Sequence, residues 1–264
     1  MNTIEAIILG IVQGLTEFLP VSSSGHIELG KAILNIKTSD NLLFSIVVHG
    51  ATALSTLIVF RKDIIDIFKG LLQFKNNDSF HYVMKIFISM IPIGLVGLLF
   101  EDRINALFTG NVVFVGFMLV ITGILLTFTY YAKNTTKEVT YDRAVIIGVV
   151  QALAILPGIS RSGSTISAAL ILGVDKEKAT KFSFIMVLLP IAGAMLLKVK
   201  DYIETPILPG GISAFALVIG FIAAFLSGLF ACTWMIRIVK KGKLIYFAYY
   251  CFFIGLISII AGLI

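Results

Sequence analysis

The chain has 264 residues, of which 58% are hydrophobic and 14% are charged, and its mean hydropathy is +1.00. This composition excludes an ordinary soluble domain and favours an integral membrane protein. The net charge of +6 does not indicate nucleic-acid binding, because the cations lie between apolar segments rather than along one basic face. We therefore expect the lipid bilayer as a partner and no nucleic acid.

Six apolar stretches of the chain are candidates for membrane-spanning helices. A helix needs about 20 predominantly apolar residues to cross the hydrocarbon core. The pattern predicts an all-α, polytopic membrane protein with about six full transmembrane helices. The stretches run over Leu42–Phe60, Ile86–Phe100, Val112–Ala132, Phe182–Leu197, Ile212–Ile236 and Leu244–Ile264.

Two further segments repeat one another and are interrupted by proline. Residues 6–26 read AIILGIVQGLTEFLPVSSSGH, and residues 144–165 read AVIIGVVQALAILPGISRSGST. Proline ends a helix, and the serines that follow suit the N-cap of a second one. Each segment therefore predicts a helix, a loop and a half-helix in a re-entrant hairpin. The predicted arms are Ile4–Leu19 and a stretch to about Ile36 in the first hairpin, and Val145–Leu156 and a stretch to about Leu172 in the second.

Three predicted crossings lie between the two hairpins, and this odd number predicts that the second copy enters the membrane from the opposite face. The chain is thus expected to be one domain, 1–264, with an inverted-topology repeat whose halves cover about 1–132 and 143–264. Under this topology fifteen Lys and Arg residues lie on one face and five on the other. The positive-inside rule then places both termini outside the cell.

The two repeats differ in their polar side chains. The first carries Glu17 and His26, where the second has an isoleucine and a serine, and the second carries Arg161, where the first has Ser23. A charged side chain at the centre of a membrane helix costs about 2.5–3.5 kcal/mol on insertion scales, so such residues indicate function. The duplicated scaffold is therefore expected to hold complementary chemistry in its two halves.

Arg161 and the hydroxyls around it indicate an anion site, because they lie at the predicted start of a half-helix. Free backbone amides and the helix dipole favour an anion there, and the guanidinium fork binds phosphate oxygens in pairs. An arginine that only pairs structurally is the alternative. The neighbouring hydroxyls belong to Ser160, Ser162, Ser164 and Thr165.

Gln13 and Glu17 lie four residues apart and so share one helix face just before the break. Such a carboxylate can hold a divalent cation, orient a nucleophile or act as a general base; a buried structural pair with Arg161 is the alternative. Hydroxyl and imidazole groups follow at Ser22, Ser23 and His26; a capped turn with a hydrogen-bonded histidine is the alternative there. His49, within an apolar span, is a second candidate, although a packed helix histidine is the commoner case.

At these motifs the chain resembles the bacitracin-resistance family of undecaprenyl-diphosphate phosphatases. The matching residues are Gln13-x-x-x-Glu17-Phe-Leu-Pro-Val-Ser-Ser-Ser-Gly-His26 and Pro157-Gly-Ile-Ser-Arg-Ser-Gly-Ser-Thr165. The resemblance implies a hydrolase of the bacterial plasma membrane that removes the terminal phosphate of undecaprenyl diphosphate. This reaction regenerates the lipid carrier of cell-wall synthesis and confers resistance to bacitracin, which binds the diphosphate.

The resemblance also implies roles for single residues and a divalent cation, Mg²⁺ or Ca²⁺, near Glu17. Some relatives have a glutamate where this chain has Gln13, which leaves Glu17 as the one acid of its motif. The nucleophile is Ser23, His26 or water. The alternative function is a transporter or flippase of an anionic polyprenyl lipid. The oligomeric state is left open, with a homodimer as one possibility. The expected catalytic residues are Glu17, Ser23, His26 and Arg161, and the expected substrate-binding residues are Gln13, Ser22, His49, Ser160, Ser162 and Thr165.

Overall fold

The computed structural model describes residues 1–34, 42–100, 103–104, 106–107, 110–132, 135–204 and 212–263. These residues form helices and loops, and no strand occurs among them, so the fold is all-α as predicted. A 3₁₀ turn, Thr129–Tyr131, follows the helix Val112–Phe128. In chain order the helices are α1 (Thr3–Phe18), α2 (Ser23–Ile33), α3 (Leu42–Val59), α4 (Arg61–Leu71), α5 (Asp78–Leu99), α6 (Val112–Phe128), α7 (Tyr141–Leu153), α8 (Arg161–Ile171), α9 (Lys176–Met186), α10 (Leu188–Glu204), α11 (Ala214–Lys240) and α12 (Ile245–Leu263).

Five helical segments among the described residues are long and apolar enough to cross a membrane, and a sixth is obtained if α3 and α4 count as one span. The predicted six crossings are thereby confirmed as five or six. The predicted end at Ile264 lies outside the described residues. The five segments are Asp78–Leu99, Val112–Tyr131, Lys176–Leu197, Ala214–Lys240 and Ile245–Leu263.

Two of these crossings are interrupted. α3 and α4 are bent by 75° at Phe60, where the apolar run gives way to the charges of α4. α4 is amphipathic and exposes Ile65 and Phe68, which suits a helix that lies along a membrane surface. The span over α9 and α10 breaks at Val187 because Pro190 has no N–H to bond to the carbonyl four residues earlier.

The two hairpins form as predicted, and their arms are short. α1 has 16 residues and α2 has 11, or about 24 Å and 16 Å of helix, less than the roughly 30 Å of the hydrocarbon core. α7 and α8 have 13 and 11 residues. α7 ends three residues before the predicted Leu156, and the predicted end of α2 near Ile36 lies outside the described residues.

Backbone requirements fix the two hairpin turns. Leu19 is extended (φ −68°, ψ 143°) because the following Pro20 disfavours helical geometry. Ser22 has a φ of +70°, which a residue other than glycine rarely adopts. In the second turn Gly158 has a φ of +101°, and a Cβ there would lie 2.6 Å from the Val115 carbonyl oxygen. A side chain at Gly158 would therefore force α6 away.

The two repeats pack reciprocally. α1 packs on α11, α7 packs on α5, and the equivalent helices α6 and α12 pack on each other. Gly10 and its repeat counterpart Gly148 allow the first two contacts: an added Cβ would lie 2.6 Å from the Gly220 carbonyl oxygen and 2.3 Å from that of Ser89, respectively. Small residues permit this close helix approach in membranes. An inverted repeat with a two-fold axis produces such exchanged contacts.

The tips of the hairpins meet through the same exchange. A Cβ on Gly25 of the first hairpin would lie 3.0 Å from the Gly158 Cα, and one on Gly163 of the second would lie 3.0 Å from the Pro20 Cβ. Beneath the first tip, Phe18 packs edge to face on Phe184, with ring centroids 5.6 Å apart. The contacts between the tips bring the polar residues of both repeats to one place.

Candidate active site

A cavity of about 760 Å³ lies where the two hairpin tips meet. Its wall combines a polar part, contributed by both repeats, with an apolar part. Such a cavity suits an amphipathic ligand with a charged head and an apolar body. The principal polar residues are Gln13, Glu17, Ser23, His49, Gln151 and Arg161, and the isoleucines are Ile27, Ile93, Ile104, Ile155 and Ile159.

The Glu17 carboxylate is the hub of the polar part. Its Oε2 accepts hydrogen bonds from Gln13 Nε2 at 2.9 Å and from the Ser23 hydroxyl at 2.7 Å. Its Oε1 accepts from Arg161 Nη2, which makes an ion pair between the repeats. Glu17 is only 8% exposed, and a buried carboxylate is costly unless it is paired and hydrogen-bonded. All three donors were predicted to lie at the site, and the structure brings them together.

Arg161 is the first residue of α8, and its side chain is 26% exposed to the cavity. The described residues give its guanidinium no hydrogen-bond partner beyond Glu17. The guanidinium has five N–H donors, so several remain for another anion. The N-terminus of α8 adds the favourable end of the helix dipole at the same point. This corner of the cavity can therefore hold a phosphate group.

The capping serines and Thr165 build the tips. Ser160 caps α8 by accepting from the Gly163 N–H at 3.0 Å, and Ser22 caps α2 by accepting from the Gly25 N–H at 3.2 Å. Thr165 donates to the Arg161 carbonyl at 2.9 Å. Ser160 and Ser162 line the cavity. Ser22 and Thr165 are buried and do not line this cavity, although Thr165 lines a small adjoining pocket with Glu17 and Arg161.

His26 is the main departure from the predicted site. Its Nε2 lies 2.8 Å from the Tyr250 hydroxyl, its Nδ1 lies 2.9 Å from the Ser22 carbonyl oxygen, and its ring stacks on Tyr250. The reason is helical phase: the cavity face of α2 runs from Ser23 through Ile27 to Glu28, and His26 lies outside it, about 60° from Ser23 and 100° from Ile27. His26 therefore faces α12 and not the Glu17 carboxylate.

The histidine that the structure brings to the cavity is His49. It lies on α3, lines the cavity and is close enough to interact electrostatically with the Glu17 carboxylate. Its Nδ1 lies 2.8 Å from the Ser45 carbonyl oxygen. A carbonyl only accepts, so Nδ1 carries the proton in this contact. The prediction that His49 belongs to the site thus has a geometric basis.

Gln151, Glu28 and Lys31 line the cavity but were not assigned from the sequence. Gln151 is the repeat counterpart of Gln13, and both are fully buried. Neither Oε1 atom has a hydrogen-bond partner among the described residues. The repeat alignment could have assigned Gln151, whereas assigning Glu28 and Lys31 requires the rotation of α2 about its axis, which only the structure gives.

The residues present fit a hard divalent cation only in part. No group of three His, Cys, Asp or Glu side chains that could hold a metal occurs within the described part of the chain. The oxygen donors on the cavity wall include the Glu17 and Glu28 carboxylates and the partnerless amide oxygens of Gln13 and Gln151. Mg²⁺ is often held by one or two carboxylates with phosphate oxygens and water. The donor set thus fits a cation that arrives with a phosphate ligand.

A charged cavity where two helical hairpins meet, inside an apolar helical bundle, defines the class: a multi-pass membrane protein with ionisable side chains between its helices. Within that class, the chain belongs to the family described as Bacitracin resistance protein BacA, which it matches over residues 6–257.

Curated relatives resemble the chain over its whole length. A protein of Christiangramia forsetii is 57% identical over 262 residues, which are 98% of each chain. A protein of Bacteroides fragilis is 52% identical over 263 residues, or 99% of each chain, and one of Parabacteroides distasonis is 53% identical over 260 residues, or 98% of each. All three are named undecaprenyl-diphosphatase.

Proposed function

We propose that this protein hydrolyses undecaprenyl diphosphate to undecaprenyl phosphate and inorganic phosphate, which recycles the lipid carrier of cell-wall synthesis and confers bacitracin resistance. The name and the identity of the relatives support this substrate. The observation that carries the proposal is the network in which Glu17 accepts from Ser23 and from Arg161. It combines a nucleophile, a base and a phosphate-binding cation in one membrane cavity.

The cavity suits both parts of this substrate. The guanidinium fork of Arg161 and the N-terminus of α8 bind oxygens of the terminal phosphate. The isoleucine side of the wall, including Ile27 and Ile93, accommodates the first units of the polyprenyl chain. The rest of the chain stays in the bilayer.

Ser23 is the nucleophile in this mechanism. Its hydroxyl already donates to Glu17, so the carboxylate takes the proton as the Ser23 oxygen attacks the terminal phosphorus. The bond between that phosphorus and the bridging oxygen breaks, and undecaprenyl phosphate leaves. Water then hydrolyses the phosphoserine, which returns Ser23 and releases phosphate. Arg161 stabilises the charge on the equatorial oxygens.

Direct attack by water, with Glu17 as its base, is the second mechanism. His26 as nucleophile would require its ring to leave Tyr250 and turn toward the cavity. A Mg²⁺ or Ca²⁺ ion, held by Glu17 and the amide oxygens of Gln13 and Gln151, would supply positive charge to the diphosphate when bound.

We place the protein in the bacterial plasma membrane with both termini and the cavity mouth on the outer face. Exposed ion pairs support one shared cytoplasmic face: Lys178 lies 2.6 Å from Glu138, and Lys240 lies 2.8 Å from Glu177. These residues belong to the ends of α9 and α11 and the loop before α7, where the predicted cytoplasmic cations cluster. The cavity extends to Lys31, near the opposite end of the bundle.

The activity itself is testable with detergent-purified protein and a polyprenyl diphosphate. We expect stoichiometric release of inorganic phosphate, dependent on a divalent cation and abolished by a chelator, with activity restored by added Mg²⁺ or Ca²⁺. Absence of phosphate release with either cation would reject the phosphatase. Transfer of intact diphosphate lipid between leaflets of liposomes, without phosphate release, would favour the flippase.

The nucleophile is tested by Ser23→Ala with Ser24→Ala as the matched control, because both serines line the cavity but only Ser23 contacts Glu17. Ser23→Ala should remove nearly all turnover, on the order of a thousandfold or more, whereas Ser24→Ala should retain most of it. Rapid-quench mass spectrometry should trap phosphate on Ser23 in the wild type. A Ser23→Ala protein with substantial turnover would shift the attack to water.

The orientation is tested with single cysteines in a background whose two native cysteines are replaced. Cysteines at Asn76 and Lys241 should resist a membrane-impermeant thiol reagent in intact cells, and cysteines at Asn2 and Ser213 should react. The reverse labelling pattern would show that the protein has the opposite orientation in the membrane. Reaction at Asn76 together with Ser213 would contradict the inverted repeat.

A further inference from the structure

One face of α2 runs from the serine tip along the cavity wall. Ser24, Ile27, Glu28 and Lys31 all line the cavity, and their spacing of three, four and seven residues places them on one helix face. Ser24 directly follows Ser23, the residue that donates to Glu17. The last two have no role in the mechanism above.

Glu28 and Lys31 form a largely buried ion pair within this wall. Lys31 Nζ lies 3.0 Å from Glu28 Oε1, and the two side chains are 18% and 7% exposed. Glu28 Oε2 has no hydrogen-bond partner among the described residues. Buried charges cost free energy unless their hydrogen bonds are complete. The pair is therefore a polar spot in the cavity that protein groups alone do not saturate.

The pairing also positions the lysine. A lysine near the end of a membrane helix commonly extends its ammonium toward the membrane surface. Here the Lys31 ammonium is paired instead with Glu28, three residues earlier on α2 and therefore nearer in sequence to Ser23. Glu28 lies five residues after Ser23, about 7.5 Å along the helix axis. Ser23, Lys31 and Arg161 all line the same cavity, so the Lys31 ammonium and the reaction centre open onto one space.

The fixed positive charges on the described cavity wall are Arg161 and Lys31. A diphosphate carries two phosphate groups, and Arg161 already pairs with Glu17 and faces the terminal one. We propose that Lys31, positioned by Glu28, binds the lipid-side phosphate of a prenyl diphosphate while Arg161 binds the terminal phosphate. This assignment rests on the proposed function and explains how the site selects a diphosphate over a monophosphate.

The test compares Lys31→Met and Lys31→Arg with the exposed surface control Lys75→Met in the full-length, detergent-purified protein. Lys31→Met should raise KM for the polyprenyl diphosphate about tenfold or more, because a charge-assisted hydrogen bond is lost, and should change kcat far less. Lys31→Arg should keep KM near the wild-type value. Lys75→Met should change neither constant.

Loss of phosphate binding is distinguished from a disturbed fold by also replacing Glu28, the ion-pair partner of Lys31. Lys31→Met leaves Glu28 buried and unpaired, so the double variant Glu28→Gln/Lys31→Met restores a neutral pair. Its KM should stay high although the protein is stable. Glu28→Gln alone keeps the Lys31 charge but releases its position, and should raise KM by a smaller factor. A double variant with wild-type KM would reduce the pair to a structural role and overturn the proposal.

A second experiment tests whether Lys31 contacts the second phosphate group of a diphosphate. Calorimetry measures how the same protein binds methylenediphosphonate, which has two phosphorus groups, and orthophosphate, which has one. Lys31→Met should raise the Kd for methylenediphosphonate about tenfold and leave the Kd for orthophosphate nearly unchanged. An equal effect on both anions, or no effect on either, would contradict a second phosphate subsite. Because this readout needs no turnover, a wild-type protein that releases no phosphate would reject the proposed function without deciding the role of Lys31.

Discussion

The ion pair between Glu17 and Arg161 is the interaction on which the arrangement depends. The two residues lie 144 positions apart in the chain, one at the end of α1 and one at the start of α8. Glu17 is buried, and so its charge requires the guanidinium. The pair forms only because the two hairpin tips meet, and it leaves the other N–H groups of Arg161 directed to a cavity. The same contact thus joins the repeats and leaves guanidinium donors at the cavity that we propose as the phosphate site.

The duplication explains how this contact is positioned. Gly10 and Gly148 let each first arm approach a helix of the other repeat, and Gly25 and Gly163 let the tips touch. These glycines occupy equivalent positions, so the scaffold is symmetric where it packs. The chemistry is asymmetric, because Glu17 and Arg161 have no counterpart of their own type in the other repeat. Symmetric packing with asymmetric side chains produces one site from two copies.

Much of this could be predicted from the sequence, because prolines, serines and glycines mark the hairpins and charges are rare inside apolar segments. The rotation of a half-helix about its axis could not be predicted from the sequence. His26 follows the serine tip closely, yet α2 turns it toward Tyr250 and turns Lys31 toward the cavity. Gln151 was visible as the counterpart of Gln13, but its burial beside the site depends on how α7 packs against α5. The 75° bend lies where the apolar run of α3 meets the charges of α4, so its position is visible in the sequence but its angle is not.

The central claim is that Glu17 and Arg161 act as one unit supplied by two repeats. The most direct measurement is a double-mutant cycle on kcat/KM for phosphate release, with Glu17→Gln, Arg161→Met and the double variant in equal purified amounts. We expect each single substitution to lower kcat/KM on the order of a thousandfold. The kcat/KM of the double variant should then be close to that of the less active single variant. Losses that multiply in the double variant would show that the two residues act independently and would contradict the composite site.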